Sequence, residues 1–451
     1  MIKYLQNIFK KCSQSGIISG VKTLQYQRKG ALNDMIDKVE FTAKNLTSNA
    51  GVLLLLNYTE EQKIFQDLKE MLSFDNKSTE EIKMNHLKSL ICGGFVGADK
   101  LERFQLLKND PLVKESGIDI REPENISRFL CKFSFKTTQM LRDINFKTFK
   151  KLLRKKGLCR IVIDIDSRVV NVEGNQEGAV KGYNPGNMGN NCYNILMAFC
   201  DELKSYITGF MRSGNAYTAN GAAEMIKEII ANLKDEVEDI IFRMDSGYFS
   251  EEIAEVIEEA GYHYVIKAKE YSNLLDKIYS VSDIKWEDIE NNKQGLFINM
   301  NPDKWTIERN FAVVRQLKPE EDRKQVSLIE SNNYEHAMYV NNVNMELEEV
   351  VKFYERRGNC ENYIKESKYD MNIGSLKLKA FWANEAFFQL MMLVYNIFLL
   401  FKIDRLSTGE YRQWIKTFRL KYVFVAGKII KTARQTILKL LEGYPYKEVF
   451  Q

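Results

Sequence analysis

Apolar residues recur along this chain in two rhythms, and the change falls near residue 159. Before it the spacing is helical. Thr59-Glu-Glu-Gln-Lys-Ile-Phe-Gln-Asp-Leu-Lys-Glu-Met-Leu72 carries apolar positions three and four apart behind a Thr-x-x-Gln capping box. Pro123 gives a second start signal, with Phe129, Leu130 and Phe133 as its apolar face. From Cys159 the pattern turns to strands, over Cys159–Val172, Tyr193–Phe199 and Ser205–Arg212, the first two joined by the Gly/Asn-rich loop 182–191. A helix over about 220–234, the strand from Asp239, a helix over about 250–260 and a strand from Tyr262 follow. Residues 270–343 break that alternation, with strands expected from Trp305 and from His336 in a separate β-rich insert. A long helix is expected from about Glu346.

Three strands followed by alternating helix and strand indicate a mixed sheet in an α/β fold. The expected organisation is a helical, DNA-binding region over 1–158 and an α/β core over 159–269. A β-rich insertion over 270–343, the second part of the core over 344–405 and a basic tail over 406–451 complete it. The apolar run Ala386–Phe401 has 16 residues and contains Gln389 and Asn396. Spanning a bilayer takes about 20 apolar residues, so a buried core helix is expected there rather than a membrane segment. The start of the chain shows no signal-peptide pattern, and the expected location is cytoplasmic.

A chain of 451 residues, 45% hydrophobic and 28% charged, can bury a core without disulfide or metal staples, which excludes collagen, coiled coil and disorder. Seven cysteines without a C-x-x-C pair fit a reducing compartment; Cys192, Cys200 and Cys360 read as small core residues, and His263 as a satisfied core histidine. The net charge of +4 conceals an asymmetry: residues 1–158 carry +10, 159–400 carry −13 and 401–451 carry +7. Two basic ends around an acidic middle suit a polyanion held at the ends while carboxylates work between them. Lys132, Lys136, Arg142, Lys147, Lys150, Lys151, Arg154, Lys155 and Lys156 give the first region a basic surface.

The candidate chemistry is acidic. Asp164 and Asp166 lie two apart on one strand and so share a face, flanked by Ile161, Val162, Ile163 and Val169. A carboxylate in such a strand is costly unless paired or metal-bound. Asp245 ends the apolar strand Ile240–Met244, a place where open α/β sheets build polar sites. Further on, Tyr354, Arg357, Glu361 and Lys368 are offset by 3, 7 and 14 residues, within roughly 60° of arc on one helix face. That face would offer Glu361 to a metal, Arg357 and Lys368 to phosphates, and Tyr354 to the sheet.

These motifs together resemble the bacterial insertion-sequence DDE transposases with the YREK signature. The matching features are Asp-x-Asp-Ser with Gly174-Asn-Gln-Glu-Gly178, Arg243-Met-Asp-Ser-Gly-Tyr-Phe249, and Tyr-(2)-Arg-(3)-Glu-(6)-Lys; Gly182-Tyr-Asn, Arg212-Ser-Gly-Asn and Ala383-Asn-Glu-Ala agree with them. The likeness runs from about 159 to 405 and continues more weakly into the helical region. The family often has Asp-x-Thr after the first strand; this chain reads Asp166-Ser-Arg, so Asp164 stands as the alternative first acid to Asp166. The resemblance implies a ribonuclease H-like core split by the β-rich insertion. It further implies cut-and-paste transposition by Asp166, Asp245 and Glu361 holding two Mg²⁺ ions, with Mn²⁺ able to substitute. The implied partners are terminal inverted repeats and target sites in double-stranded DNA, engaged by a homodimer. Tyr354, Arg357 and Lys368 would contact DNA, and Trp305 lies where similar transposases place an aromatic to stack a flipped base. Three carboxylates suit hard, oxygen-preferring Mg²⁺ and in-line phosphodiester chemistry. A ribonuclease H-like nuclease or resolvase that cuts without joining, and a non-catalytic DNA-binding relic, are the competing readings.

Overall fold

The computed structural model describes residues 39–73, 79–182, 189–319, 333–373 and 378–451. Residues 1–38 of the expected helical region, 183–188 of the Gly/Asn loop and 320–332 of the insertion lie outside the described residues. The chain divides into two compact units, Met1–Leu46 and Thr47–Gln451. Of the first, residues 39–46 are described.

The centre of the second unit is a mixed sheet of ten strands among the described residues. The long strand β1 (Arg160–Asn171) is flanked on one side by β3 (Asn191–Cys200), which runs antiparallel to it and to β4 (Ser205–Ser213); the two-residue β2 (Val180–Lys181) pairs with the start of β3. On its other side β1 pairs in parallel with β5 (Asp239–Met244), and β5 in parallel with β6 (His263–Lys267). The order β4-β3-β1-β5-β6, with its first three strands antiparallel and the next two parallel, is the ribonuclease H arrangement. The crossovers are α6 (Ala222–Leu233) and α7 (Glu251–Glu259); Gly221, at a φ of 76°, lets the chain turn into α6.

The β-rich stretch is not set apart from this sheet. After α8 (Ser272–Tyr279) come β7 (Glu287–Ile289), β8 (Lys293–Met300), β9 (Arg309–Leu317) and β10 (Tyr334–Asn341). β10 bonds antiparallel to β6, with Val340 opposite Ile266, and β9, β8 and β7 continue outward. The reason is on the strands themselves. Ala312 and Val314 bury on one face against Leu347 and Val350, while Phe311 and Val313 bury on the other in the main core, the two-sided apolar pattern of an interior strand. The strand expected from Trp305 begins at Arg309; Trp305 lies in the turn before it.

Helix α9 (Leu347–Glu355) rests on those outer strands: Leu347, Val350 and Val351 cluster with Val265, Ala312, Val314 and Tyr339. The single long helix expected from Glu346 is two. After α9 the chain turns at Arg356 and Arg357, whose bonds reach back three residues (Arg357 N to Tyr354 O, Asn359 N to Arg356 O), before α10 (Gly358–Asp370).

The N-terminal helices are α1 (Val52–Glu61), α2 (Ile64–Met71), α3 (Glu80–Val96), α4 (Pro123–Leu130) and α5 (Phe135–Lys156). The expected capping box at Thr59 falls inside α1 instead: its hydroxyl donates to the Leu55 carbonyl, and the break comes at Lys63, which takes the left-handed conformation (φ 57°). The apolar run Val52–Leu56 starts the helix about two turns earlier than the polar signal suggests. α5 packs against the sheet and the long α11 (Phe381–Arg405), so much of its positive charge is spent inside the protein. Arg142 pairs with Glu228, Lys147 and Lys151 with Asp67, Arg154 with Glu236 and Lys155 with Asp404. The Arg142 pair is mostly buried; Lys147 and Arg154 stay half or more exposed, so these cations are partnered within the protein while still lying on its surface.

α11 is long and apolar enough to cross a membrane by composition, yet 94% of its most apolar stretch is buried inside the protein. Its few polar side chains explain its position. Glu385 accepts from Met211 N (2.7 Å), Gln389 donates to Gly209 O (2.7 Å), and Asn396 both accepts from Tyr206 N (3.2 Å) and donates to Tyr206 O (2.7 Å). These are backbone groups of β4, the last strand on its side of the sheet, so α11 satisfies an edge that would otherwise be buried unpaired. A hairpin, β11 (Gly427–Lys431) and β12 (Thr436–Leu440), lies near the C-terminus.

Candidate active site

Register places the acids. Asp164 on β1 is level with Arg243 on β5, and two residues further along the same face each strand presents an aspartate: Asp166 still within β1, Asp245 just past the end of β5. Ser167 N donates to Asp166 (2.8 Å), and Gly247 N to Asp245 (2.8 Å), which caps the turn Ser246–Tyr248. The room for that turn is tight, since a Cβ on Gly247 would lie 2.9 Å from Asp245 Oδ1 and 2.6 Å from Thr218 Cγ2. The Thr218 loop is held by Arg212, which donates to the carbonyls of Tyr217, Thr218 and Asn220 and to Asn194.

Arg357, at the α9–α10 turn, brings the two aspartates into one site. Its Nη2 lies 3.1 Å from Asp166 and 3.5 Å from Asp245. Its Nε is buried without a partner, so the guanidinium is bound through one corner only. Burial pushes the Asp166 carboxyl up to about 6; Arg357 pulls against that, and the charges of Asp245 and Glu361 add to it. Arg357 itself is held above its ordinary range by the two aspartates, although burial opposes this.

The other expected residues divide. Asp164 is fully buried and taken by a bidentate pair with Arg243, at 2.7 and 2.8 Å, with burial raising its pKa against that pull. Glu361 opens α10; its carboxylate faces solvent, 3.4 Å from Lys365, and reaches Asp166 through its field rather than by contact. Tyr354 is packed on Tyr339, ring centres 4.6 Å apart, and burial raises its phenol pKa. Lys368 lies over the ring of its neighbour Tyr369. The break at Arg356–Arg357 leaves Tyr354 in α9, Arg357 at the corner, and Glu361 and Lys368 in α10. Trp305 is half-buried against Phe249, four residues past Asp245, with Arg309 over its ring at 5.1 Å. Cys192, Cys200 and Cys360 are buried, as small core residues should be. His263 is instead half-exposed at the start of β6, beside Asp239 and the Asn342 carbonyl.

Among the described residues no three acids, histidines or cysteines stand close enough to hold a metal ion. The donor chemistry nonetheless fits one. Two carboxylates at neighbouring strand ends point at a single cationic group, and hard oxygen donors of this kind suit a divalent ion such as Mg²⁺.

Residues 33–451 match the family described as transposase DDE domain, group 1. The chain belongs to that family. It is therefore an enzyme of DNA cleavage and strand transfer. Two solved structures are similar to it. One is a cryo-EM structure of the piggyBac transposase synaptic complex with hairpin DNA, at 12% identity over 81% of this chain and 78% of that one, with a TM-score of 0.44. The other is the Mos1 transposase paired-end complex with the left transposon end, at 10% identity over 58% and 67%, with a TM-score of 0.18. No characterised protein sequence matches the transposase. Sequence reasoning had passed over one residue of this site, Arg243; a lone charge in the run Ile240–Met244 was the available signal.

Proposed function

We propose that this transposase cuts and joins the ends of an insertion sequence with Asp166, Asp245 and Glu361 as its metal-holding acids and Mg²⁺, replaceable by Mn²⁺, as the ion. The observation that carries this reading is the shared guanidinium of Arg357 between Asp166 and Asp245, which marks where positive charge is wanted. Divalent ions, when bound, supply activation of the attacking oxygen and stabilisation of the leaving one. The protein's own residues do the rest. Asp166 and Asp245 are fixed by backbone N–H groups, Glu361 comes in from α10, and Arg357 holds the two aspartates together and supplies the positive charge beside them. Asp166 rather than Asp164 is the first acid, because Asp164 is already occupied by Arg243. The substrate is double-stranded DNA bearing terminal inverted repeats, joined to a target site. A homodimer fits the need to handle two ends in one event.

The test uses the full chain, Mg²⁺, labelled repeat ends and a supercoiled acceptor plasmid. Joined product is expected from the native protein. Asp245→Asn and Glu361→Gln should each bind ends within about twofold of the native protein and lose cleavage by at least about 1,000-fold. Cutting without joining would move the assignment to a nuclease, and full activity in either variant would remove that residue from the site.

A further inference from the structure

Directly beneath the acids lies a second charged layer that the cleavage chemistry does not use. Arg243 is fully buried in the middle of the sheet, and four of its contacts are polar. Nε and Nη2 grip Asp164; Nη2 also reaches Asp201 at 3.1 Å; Nη1 donates to the main-chain carbonyl of Phe353 at 2.7 Å, with the Phe353 ring over the guanidinium at 5.1 Å. Asp201 in turn accepts from the hydroxyl of Tyr363 at 3.0 Å. Phe353 is in the last turn of α9, four residues before Arg357, and Tyr363 is in α10, two residues after Glu361. One arginine thus ties β1 and β5 to both helices that bring the remaining site residues.

Burying a guanidinium and a carboxylate is seldom the cheapest way to fill a core; apolar side chains of equal volume often do as well. What an apolar pair cannot do is hold a helix carbonyl and a tyrosine–aspartate link at fixed distances from the strand. We infer that Arg243 is a positioning residue of the transposase, and that it sets the register of the α9–α10 corner against Asp166 and Asp245. This rests on the site assignment above. Arg243 touches neither DNA nor the reacting atoms; it acts through Phe353, Asp201 and Tyr363. The sensitivity expected is large, because a displacement of about 1 Å in a catalytic group costs about 100-fold in rate.

Removing Arg243 alone strands Asp164 as a buried charge and can unfold the protein, so the test pairs two designs. Arg243→Lys keeps the charge but loses the fork; Asp164→Leu with Arg243→Met removes both charges together. Thermal unfolding, affinity for repeat-end DNA, single-turnover cleavage on saturating DNA, and hydrogen exchange over residues 347–370 are measured on each full-length variant. The double variant should fold and bind ends within about twofold of the native protein, yet cleave about 100-fold more slowly and lose exchange protection selectively in 347–370. Arg243→Lys should fall between it and the native protein. A folded double variant with native cleavage and native protection in 347–370 overturns the inference and leaves an ordinary core ion pair. If the native protein proves not to cleave at all, the function fails, while the exchange measurement still decides whether Arg243 holds the corner.

Discussion

Gly247 shows how little freedom the acids have. It donates to Asp245 and stands against Thr218, and a methyl group there meets the carboxylate it should support. Gly247→Ala is expected to lower cleavage about tenfold or more while costing about 1–3 kcal/mol of stability, read by single-turnover kinetics beside a denaturant melt. At this scale much of the site was legible. Asp166 and Asp245 announce themselves as acids at an apolar strand and at a strand end, and the structure brings them to one guanidinium; the spacing that singles out Glu361 does not bring its carboxylate into contact with them. The choice between Asp164 and Asp166 was not legible, because both have the same residue type, strand and face. What separates them is Arg243, 79 positions from Asp164 in sequence and adjacent only through a parallel register that no local pattern encodes.

Among the elements, α11 has the least ordinary chemistry. Glu385 is wholly buried in it, and burial pushes its carboxyl up to about 7 against the pull of Gln389, Met211 N and Arg142. The folded state therefore holds this proton more tightly than the unfolded chain. Stability from this group is fully present below about pH 4.5, falls as pH rises towards 7 and is flat beyond. Glu385→Gln should flatten that slope and raise stability at pH 8 by about 1–3 kcal/mol, measured as unfolding free energy at pH 5 and pH 8. The apolar length of α11 and the Gln389 and Asn396 within it pointed to a buried helix, but the partners of those polar groups emerged only when β4 was placed beside them. The divided helices α1–α2 and α9–α10 were missed for a related reason. Helical periodicity carries across a one- or two-residue turn almost unbroken, so spacing alone does not register Lys63 or the Arg356–Arg357 corner.

The whole molecule keeps its charge asymmetry but relocates its use. With the cations of α5 largely paired internally, the C-terminal hairpin offers Lys428 directly opposite Lys439, both exposed. Like charges facing across a ladder destabilise it unless something negative lies over them. Lys428→Glu with Lys439→Glu should weaken end binding and reduce the slope of log affinity against log salt by about 2, with melting unchanged. The change of rhythm at residue 159 falls where β1 begins, whereas the continuation of that sheet through β10 was hidden, since strand pairing partners are not written in a strand's own alternation. That continuation gives the molecule a beam. β7 to β10 extend the plank on which Asp166 and Asp245 are mounted, and α9 lays its apolar face on the outer part of it while its last turn is held to β5 by Arg243. Any torque applied to the outer planks is therefore delivered at the Arg356–Arg357 corner, with the buried arginine beneath as its fulcrum.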